Sequence, residues 1–470
     1  RFFFYQRNGC ALPAANAFEW ARGEIYTEPI PYLSDPSKMR SVRHGWFDAG
    51  DSRLYPHTDR IGPLLLAWEL SRERNFDGQL NIPESGNGVP DILDEIRFQV
   101  EYLREIQRDD GSCPGFTMTG TGNGNPIRDW GRGYEDDDDP RYIHDTSKPR
   151  GGLHTGSICA CFAMMSRCLR SYDPEGAKTY EDAARRAWDW LEGPGQQPPL
   201  TKEERPNRLW AAVEMWRLTR EGRFHSAIRA LAEGDVEEAW DGYAWRERTS
   251  AWIAWFSYSL AEQKDEELGA SFRRRFLDRA ESLFHTSASD PYGVAIHSRG
   301  FYLAPGDVGR TAGVLALAWK LTADERYRSL AEDHLHFLCG RNIHRLCAIS
   351  NVAPETHGEP YHMLEWTAGR EAWMPGYVAY MAANSAGTLS RFRARRFRVS
   401  RSVYWFSEPC VGFNFGPTVA AMLLMEGKRY PDLIQQGALP GVDPFRPGLP
   451  FRPGTHVPWG AQPVTPGAGD

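Results

Sequence analysis

No stretch of about 18 consecutive apolar residues occurs anywhere in the chain, so no segment suits a helix crossing a bilayer. No Cys-x-x-Cys pair occurs among the 8 cysteines, which removes the common thiolate zinc sites. A basic surplus is also missing. Lys and Arg number 55 against 62 Asp and Glu, a net charge of −7, and a dedicated nucleic-acid binder would show the opposite balance. Strict alternation of apolar and polar residues is scarce, so a strand-built fold has little support. The first residues, Arg1 to Arg7, lack the basic, apolar, small-residue order of an export signal. They open instead in the aromatic run Phe2 to Tyr5, as the interior of a folded unit would. A truncated start is therefore expected, and the compartment stays open, secretion or the periplasm included.

What the sequence does contain is apolar and aromatic. Hydrophobic residues make up 41% of 470, enough for a large buried core and too many for a disordered chain. Aromatic residues reach 13%, with 17 Trp and 19 Tyr. Flat apolar faces with a hydrogen-bonding edge suit sugar rings as well as cores. The cysteines (Cys10, Cys113, Cys159, Cys161, Cys168, Cys339, Cys347 and Cys410) are scattered. They read as small buried hydrophobes, with isolated disulfides left open.

Apolar residues recur at threes and fours through most of the chain. This spacing predicts helices over 58–74, 89–107, 154–169, 179–191, 208–219, 224–231, 250–262, 270–284, 308–321, 324–338, 372–383 and 415–426. Several come in pairs across turns such as Ser171–Pro174 and Thr322–Ala323. Helical hairpins must bury their inner faces against one another. About twelve helices in six hairpins close into an all-α (α/α)6 toroid, favoured over an open solenoid because no shared repeat motif runs through the hairpins. Residues 1–436 are read as one catalytic domain, and 437–470, rich in Pro and Gly, as an irregular tail.

The sharpest local feature is Gly45-Trp46-Phe47-Asp48-Ala49-Gly50-Asp51. Two acids flank an Ala-Gly step that lets the backbone turn tightly. Such a pair can share a water, one acid taking its proton while the other holds it; a helix cap is the plainer reading. Cleaving a glycosidic bond also needs a proton donor on the other side of the bond. Glu408, in Trp405-Phe406-Ser407-Glu408-Pro409, has aromatic neighbours that exclude water and raise a carboxyl pKa. A solvated Glu at a helix start is the alternative.

Several motifs in order resemble glycoside hydrolase family 9, the inverting cellulase family with an (α/α)6 barrel. They are Phe2-Phe3-Phe4-Tyr5-Gln6-Arg7-Asn8-Gly9, the Trp46 to Asp51 signature, the long match from Asn81-Ile82-Pro83-Glu84-Ser85-Gly86-Asn87-Gly88 through Val89-Pro90-Asp91-Ile92-Leu93-Asp94-Glu95, the Cys339-Gly340-Arg341-Asn342 step, and Glu408 followed by Gly412-Phe413-Asn414-Phe415. The resemblance implies that Asp51 is the general base, that Asp48 helps hold the attacking water, and that Glu408 is the general acid. It implies an inverting β-glycoside hydrolase of the cellulase type, endoglucanase or exo-glucosidase, acting on β-1,4-linked glucan or a related oligosaccharide. No cofactor is required. Trp46, Arg341, His357, Tyr361, His362 and Trp405 are the candidate sugar contacts.

The chain departs from the family at places that face substrate. A His-His-Arg-like segment is replaced by Thr356-His357-Gly358-Glu359-Pro360-Tyr361-His362-Met363, Gly-Lys-Tyr by Ser52-Arg53-Leu54-Tyr55, and Trp-Gly-Ser-Asn by Tyr302-Leu303-Ala304-Pro305-Gly306-Asp307. A shorter oligosaccharide or a substituted sugar fits these changes. The acids Asp136 to Asp139 invite a structural calcium, although their spacing makes a solvated loop the better reading. The arginine-rich stretch 391–401 is either a solvated surface or a cationic wall near the cleft. Trp210, Trp245, Trp252, Trp255, Trp366 and Trp373 join Trp46 and Trp405 as stacking candidates, and His44 is either a hydroxyl contact or a structural histidine. A toroidal lyase or epimerase, or a non-catalytic carbohydrate-binding relative, are the competing functions. The expected partner is an oligo- or polysaccharide, met by a monomer or weak oligomer, with no nucleic acid and no membrane.

Overall fold

Two kinds of helix alternate along the chain, and their sequences say where each belongs. A computed structural model describes residues 1–50, 53–119, 141–145, 151–193, 200–202, 204–233, 250–295, 301–302, 305–342, 347–350, 376–378, 383–384 and 410–425. Two short helices come first, α1 (Phe2–Tyr5) and α2 (Ala14–Ala17). Six helices are then apolar on nearly every face: α3 (Thr58–Glu69), α5 (Gly151–Leu169), α7 (Glu204–Thr219), α9 (Ala251–Ser259), α11 (Pro305–Thr322) and α13 (Val411–Leu424). In α9 every residue from Ala251 to Tyr258 is buried, which only a helix enclosed on all sides can satisfy. Between them run α4 (Asp91–Ile106), α6 (Pro174–Glu192), α8 (Gly222–Ala232), α10 (Glu266–Ala288) and α12 (Glu325–Leu338). Apart from α4, which is buried over most of its length, these bury one stripe each. In α6 it is Ala177, Tyr180, Ala183, Ala184, Ala187, Trp188 and Leu191. The apolar helices form the inner ring of the (α/α)6 toroid and the one-sided helices its outer layer.

The ring is traced by its contacts. Helix α3 packs on α5, α5 on α7, α7 on α9, α11 on α13, and α13 back on α3. Three outer helices, α6, α10 and α12, start at Asp caps that satisfy free amides. Asp173 accepts from Gly176 N at 2.9 Å, Asp265 from Leu268 N at 3.1 Å, and Asp324 from Arg326 N at 2.9 Å. The α11–α13 seam is the closest approach. A Cβ on Gly306 would sit 2.0 Å from the Phe413 ring, and one on Gly309 2.4 Å from Pro417. Glycine is needed there because nothing larger fits.

The inner helices run in one direction, so their ends gather at two faces. At the N-terminal face, Gly156 of α5 abuts Asn207 of α7, and Ser250, just ahead of α9, donates to Asn207 at 2.6 Å. At the C-terminal face lies a buried ion network. Arg167 Nε meets Glu69 at 2.6 Å, Arg167 Nη2 meets Glu214 at 2.9 Å, and Arg217 Nη2 meets Glu69 at 3.0 Å. Burial works against ionising Glu69, but Arg167 and Arg217 outweigh it and hold its carboxyl at about 2. This network ties α3, α5 and α7 together.

Short strands decorate the N-terminal face. β1 (Ile30–Pro31) pairs with β2 (Met39–Arg40), β3 (Phe116–Thr119) with β4 (Arg141–His144), and β5 (Phe301–Tyr302) with β6 (Ala383–Asn384), all antiparallel. The helix expected over 372–383 is corrected. Gly376 is left-handed at φ 87, Val378 bridges Ile349, and Ala383 lies in β6. The reason lies in Asn414, whose side chain accepts from Val378 N at 2.8 Å and donates to Val378 O at 3.2 Å, so Val378 needs no helical partner. None of the eight cysteines is joined in a disulfide. The tail 437–470, the Asp136–Asp139 run and the stretch 391–401 lie outside the described residues.

Candidate active site

The Trp46–Gly50 segment is carried to the N-terminal face by the motif residues on α4. Trp46 N donates to Gln99 Oε1 at 2.5 Å and its indole Nε1 to Glu95 Oε1 at 2.8 Å. Glu95 also pairs with Arg7 at 3.0 Å, and Arg7 reaches Glu84 at 2.8 Å. Phe47 N bonds Gln6 O at 2.8 Å. Asp91 folds the loop ahead of α4 by accepting from Gly78 N at 2.7 Å, Leu80 N at 2.6 Å and Ser85 Oγ at 2.7 Å. Burial pushes the Asp94 carboxyl up to about 7, against the hydrogen bond from Asn87. The long Asn81–Glu95 motif is thus the scaffold that aims the acid loop.

Trp46 was a candidate sugar platform, and the structure corrects this. It is fully buried, its ring lies tilted 4.5 Å from that of Phe3, and its one side-chain polar atom is bonded to Glu95. Trp210 is likewise fully buried, and Trp252 and Trp255 are buried too. His44 Nδ1 lies 2.7 Å from Glu105, a structural partner. Arg341 pairs with Asp333 at 2.7 Å and donates to Tyr292 O at 3.2 Å, tying the end of α12 to the preceding loop. Asp51, Glu408, His357, Tyr361, His362, Trp405, Trp245, Trp366 and Trp373 lie outside the described residues.

Asp48 is placed, with its carboxylate 29% exposed. Its carbonyl accepts from Val411 N at 3.1 Å, so the acid loop touches the first turn of α13. Arg60, on the first turn of α3, pairs with Asp59 and feels the charges of Asp48 and Cys410. Burial opposes its protonation, yet these acids raise its pKa. His57 Nε2 lies 4.0 Å from Asp48 Oδ1. Burial, then Arg60, hold the His57 pKa well below 6.5, so the imidazole is neutral.

One wall is aromatic. Tyr55 sits 5.9 Å from both His57 and Phe116, and Phe116 stacks on His144 at 4.8 Å. His154, in the first turn of α5, packs against Gly115 closely enough that a Cβ there would lie 3.0 Å from its ring. Sequence reasoning missed His57, Arg60, Tyr55, His144 and His154. The available signal was position, since His57, Arg60 and His154 all sit where an inner helix begins.

Among the described residues no group of three or more His, Cys, Asp or Glu could hold a metal ion, and no helix is long and apolar enough to cross a membrane. A cavity of about 710 Å³ lies beside Phe2, Phe3, Leu80, Ile92 and Met422. It is lined by none of the acids proposed for chemistry.

Comparison with known proteins agrees with this fold. Residues 1–420 match the sequence profile of glycosyl hydrolase family 9. Endoglucanase D of Acetivibrio thermocellus is 26% identical over 397 residues, covering 79% of this chain and 61% of that protein. The chain therefore spans under two thirds of that relative's length. A cellodextrinase of Butyrivibrio fibrisolvens is 24% identical over 391 residues, covering 76% of this chain and 69% of that one. Among solved structures, a metagenome-derived glycoside hydrolase family 9 endoglucanase superposes with a TM-score of 0.75 at 25% identity, covering 91% of this chain and 79% of that one.

Proposed function

Because the chain belongs to glycosyl hydrolase family 9, a family of inverting β-glycosidases, we propose that it hydrolyses β-1,4-linked glucan or a related oligosaccharide with inversion. Asp51 takes the proton of a water that Asp48 helps to hold. The water's oxygen attacks the anomeric carbon from the face opposite the leaving group, and Glu408 protonates the leaving oxygen. Inversion calls for about 6.5–9.5 Å between acid and base, leaving room for that water. The proton transfers run between carboxyl groups and water or the leaving oxygen, and this reading calls for no cofactor. The chain is read as a monomer or weak oligomer that meets an oligo- or polysaccharide.

The observation that carries this reading is the hydrogen bond from Val411 N to Asp48 O, 3.1 Å. Asp51 follows Asp48 by three residues, and Glu408 precedes Val411 by three. Three residues of chain reach at most ~11 Å, so both proposed partners are tethered to one point. The N-termini of the inner helices gather at this face, and the dipole of α3 favours an ionised Asp48 there. Replacement of the family's substrate-facing segments at Ser52–Tyr55 and Tyr302–Asp307 supports a shorter or substituted oligosaccharide over plain cellulose.

The test is a hydrolysis screen on cello-oligosaccharides, glucosamine oligomers, chito-oligosaccharides, mixed-linkage glucan and uronic-acid polymers, with the first-formed anomer read by NMR. The α-anomer from a β-linked substrate is expected. A β-anomer would overturn inversion, and an unsaturated product absorbing in the ultraviolet would replace hydrolysis by elimination.

A further inference from the structure

His57 has a backbone that few residues with a Cβ adopt, φ 47 and ψ 28 in the left-handed region. Residues held there concentrate at working sites. It stands immediately before α3, and its carbonyl accepts from Arg60 N and Ile61 N, both at 2.9 Å. The start of the helix therefore fixes its position. The side chain is buried, 5% exposed, and its ring meets Tyr55 edge to face. Its Nε2 has no hydrogen-bond partner among the described residues, and it faces the Asp48 carboxylate oxygen at 4.0 Å.

A buried ring nitrogen without a partner is uncommon and calls for an explanation. Four ångströms is too long for a direct hydrogen bond and suits a shared third atom. An oxygen about 2.8 Å from both Nε2 and Oδ1 would see them about 90° apart, an angle a water accommodates. The neutral imidazole can donate to such an oxygen or accept from it.

Resting on the hydrolase reading above, the geometry assigns His57 a direct part in the reaction: its Nε2 and the Asp48 carboxylate together hold the attacking water. His57 grips it from the helix side and Asp48 from the loop side. The water's oxygen then bonds to the anomeric carbon, its proton passes to Asp51, the glycosidic C–O bond breaks, and the leaving oxygen takes the proton of Glu408. His57 ends the cycle with the proton count it began with. Its contribution is orientation, and a misplaced nucleophile costs rate without weakening sugar binding.

The experiment compares His57→Leu and His57→Gln in the full chain, using an oligosaccharide that the wild type cleaves in the screen above. The Leu side chain fills much of the same space without a polar atom, while Gln carries an amide to a similar reach. The expected result is kcat lowered by about 10–100-fold in the Leu variant, KM within about twofold, an unchanged melting temperature, and most of the rate recovered in the Gln variant. A Leu variant with wild-type kcat would overturn the assignment. So would a loss falling mainly on KM, which would make His57 a contact to a sugar hydroxyl. If the Leu variant does not fold, His57→Asn replaces it, since Asn tolerates the left-handed backbone but is too short to reach. An Asn variant slower than the Gln variant supports the assignment, and equal rates overturn it. A wild type that cleaves no glycan removes the hydrolase reading together with this one. An active wild type with an unaffected Leu variant removes this one alone.

Discussion

The amide of Val411 donates to the carbonyl of Asp48 across 3.1 Å, joining the loop that precedes the first inner helix to the first turn of the last. A ring closed in this way brings two sequence-distant stretches of main chain together at Asp48 and Val411 without any long-range loop. The hydrogen bond is between main chains, so the juxtaposition does not depend on either side chain and should survive substitution of the acids themselves.

That permits a clean test of Glu408. Glu408→Gln should fold with wild-type stability and lose about 10²–10⁴-fold in kcat on ordinary glycosides, the range a general acid supplies. A β-glycosyl fluoride should be spared relative to them, because fluoride leaves with little protonation. Steady-state rates on both substrates decide this. An unimpaired rate on the unactivated glycoside would remove Glu408 from the mechanism.

Glu95 should prove essential to the fold. Glu95→Ala leaves the Trp46 indole NH without its acceptor and the buried Arg7 guanidinium with the half-buried Glu84 as its remaining ion-pair partner. Removing one partner of a buried ion pair costs about 3–5 kcal/mol. Urea unfolding monitored by tryptophan fluorescence should show a loss of that size, and a change below about 1 kcal/mol would contradict the scaffold role.

At the α11–α13 seam, Gly306→Val should lower the melting temperature and the activity together, since its Cβ would overlap the Phe413 ring at 2.0 Å. Gly222→Ala, where an added Cβ meets nothing within 4 Å, serves as the control and should be neutral or slightly stabilising. Equal melting temperatures for the two variants would show that the seam can relax.

Acid should loosen the ion network at the C-terminal face. The Glu69 carboxyl sits at about 2 in the folded chain against an ordinary value of 4.5. A depressed folded value means that the unfolded state binds the proton first as pH falls. The stabilisation is therefore complete above about 4.5 and drains away between there and about 2. In Glu69→Gln, stability should vary less with pH across that window. An identical pH dependence in both proteins would show that other groups govern acid unfolding.

Among the thiols, Cys339 should alkylate first. Its hydrogen bond with Cys347 brings it down to about 7, against the opposing effect of burial. The thiolate is the reactive form, so near pH 7.5 iodoacetamide should label Cys339 ahead of Cys113, Cys159, Cys161 and Cys168, which burial drives upward. Peptide mapping by mass spectrometry reads the order, and Cys347→Ser should slow the labelling of Cys339.

The order and pairing of helices could be read from the chain because apolar periodicity is a local property. The boundaries moved by a few residues, as when α10 extended over Glu266–Ala288 beyond the expected 270–284. The mistaken helix over 372–383 failed for a tertiary reason. Asn414 reaches across to take both backbone groups of Val378, and no pattern around Val378 shows that. The acid loop stood out as one short motif, and the structure places its Asp48 beside the first turn of α13. Trp46 in the same motif was misread, since whether a tryptophan faces a sugar or a glutamate depends on how α4 lies against it. His57 carries no sequence mark beyond its place just ahead of a helix. Its left-handed backbone and its distance to Asp48 exist only once the ring has closed.

The buried Glu69–Arg167–Arg217–Glu214 network and the acid loop occupy opposite poles of the same helices. Helix α3 alone, 12 residues long, separates them by about 18 Å. At that range substitutions act independently. Heat tolerance can therefore be engineered at one pole while substrate preference is altered at the other, and the two sets of changes should combine without interference.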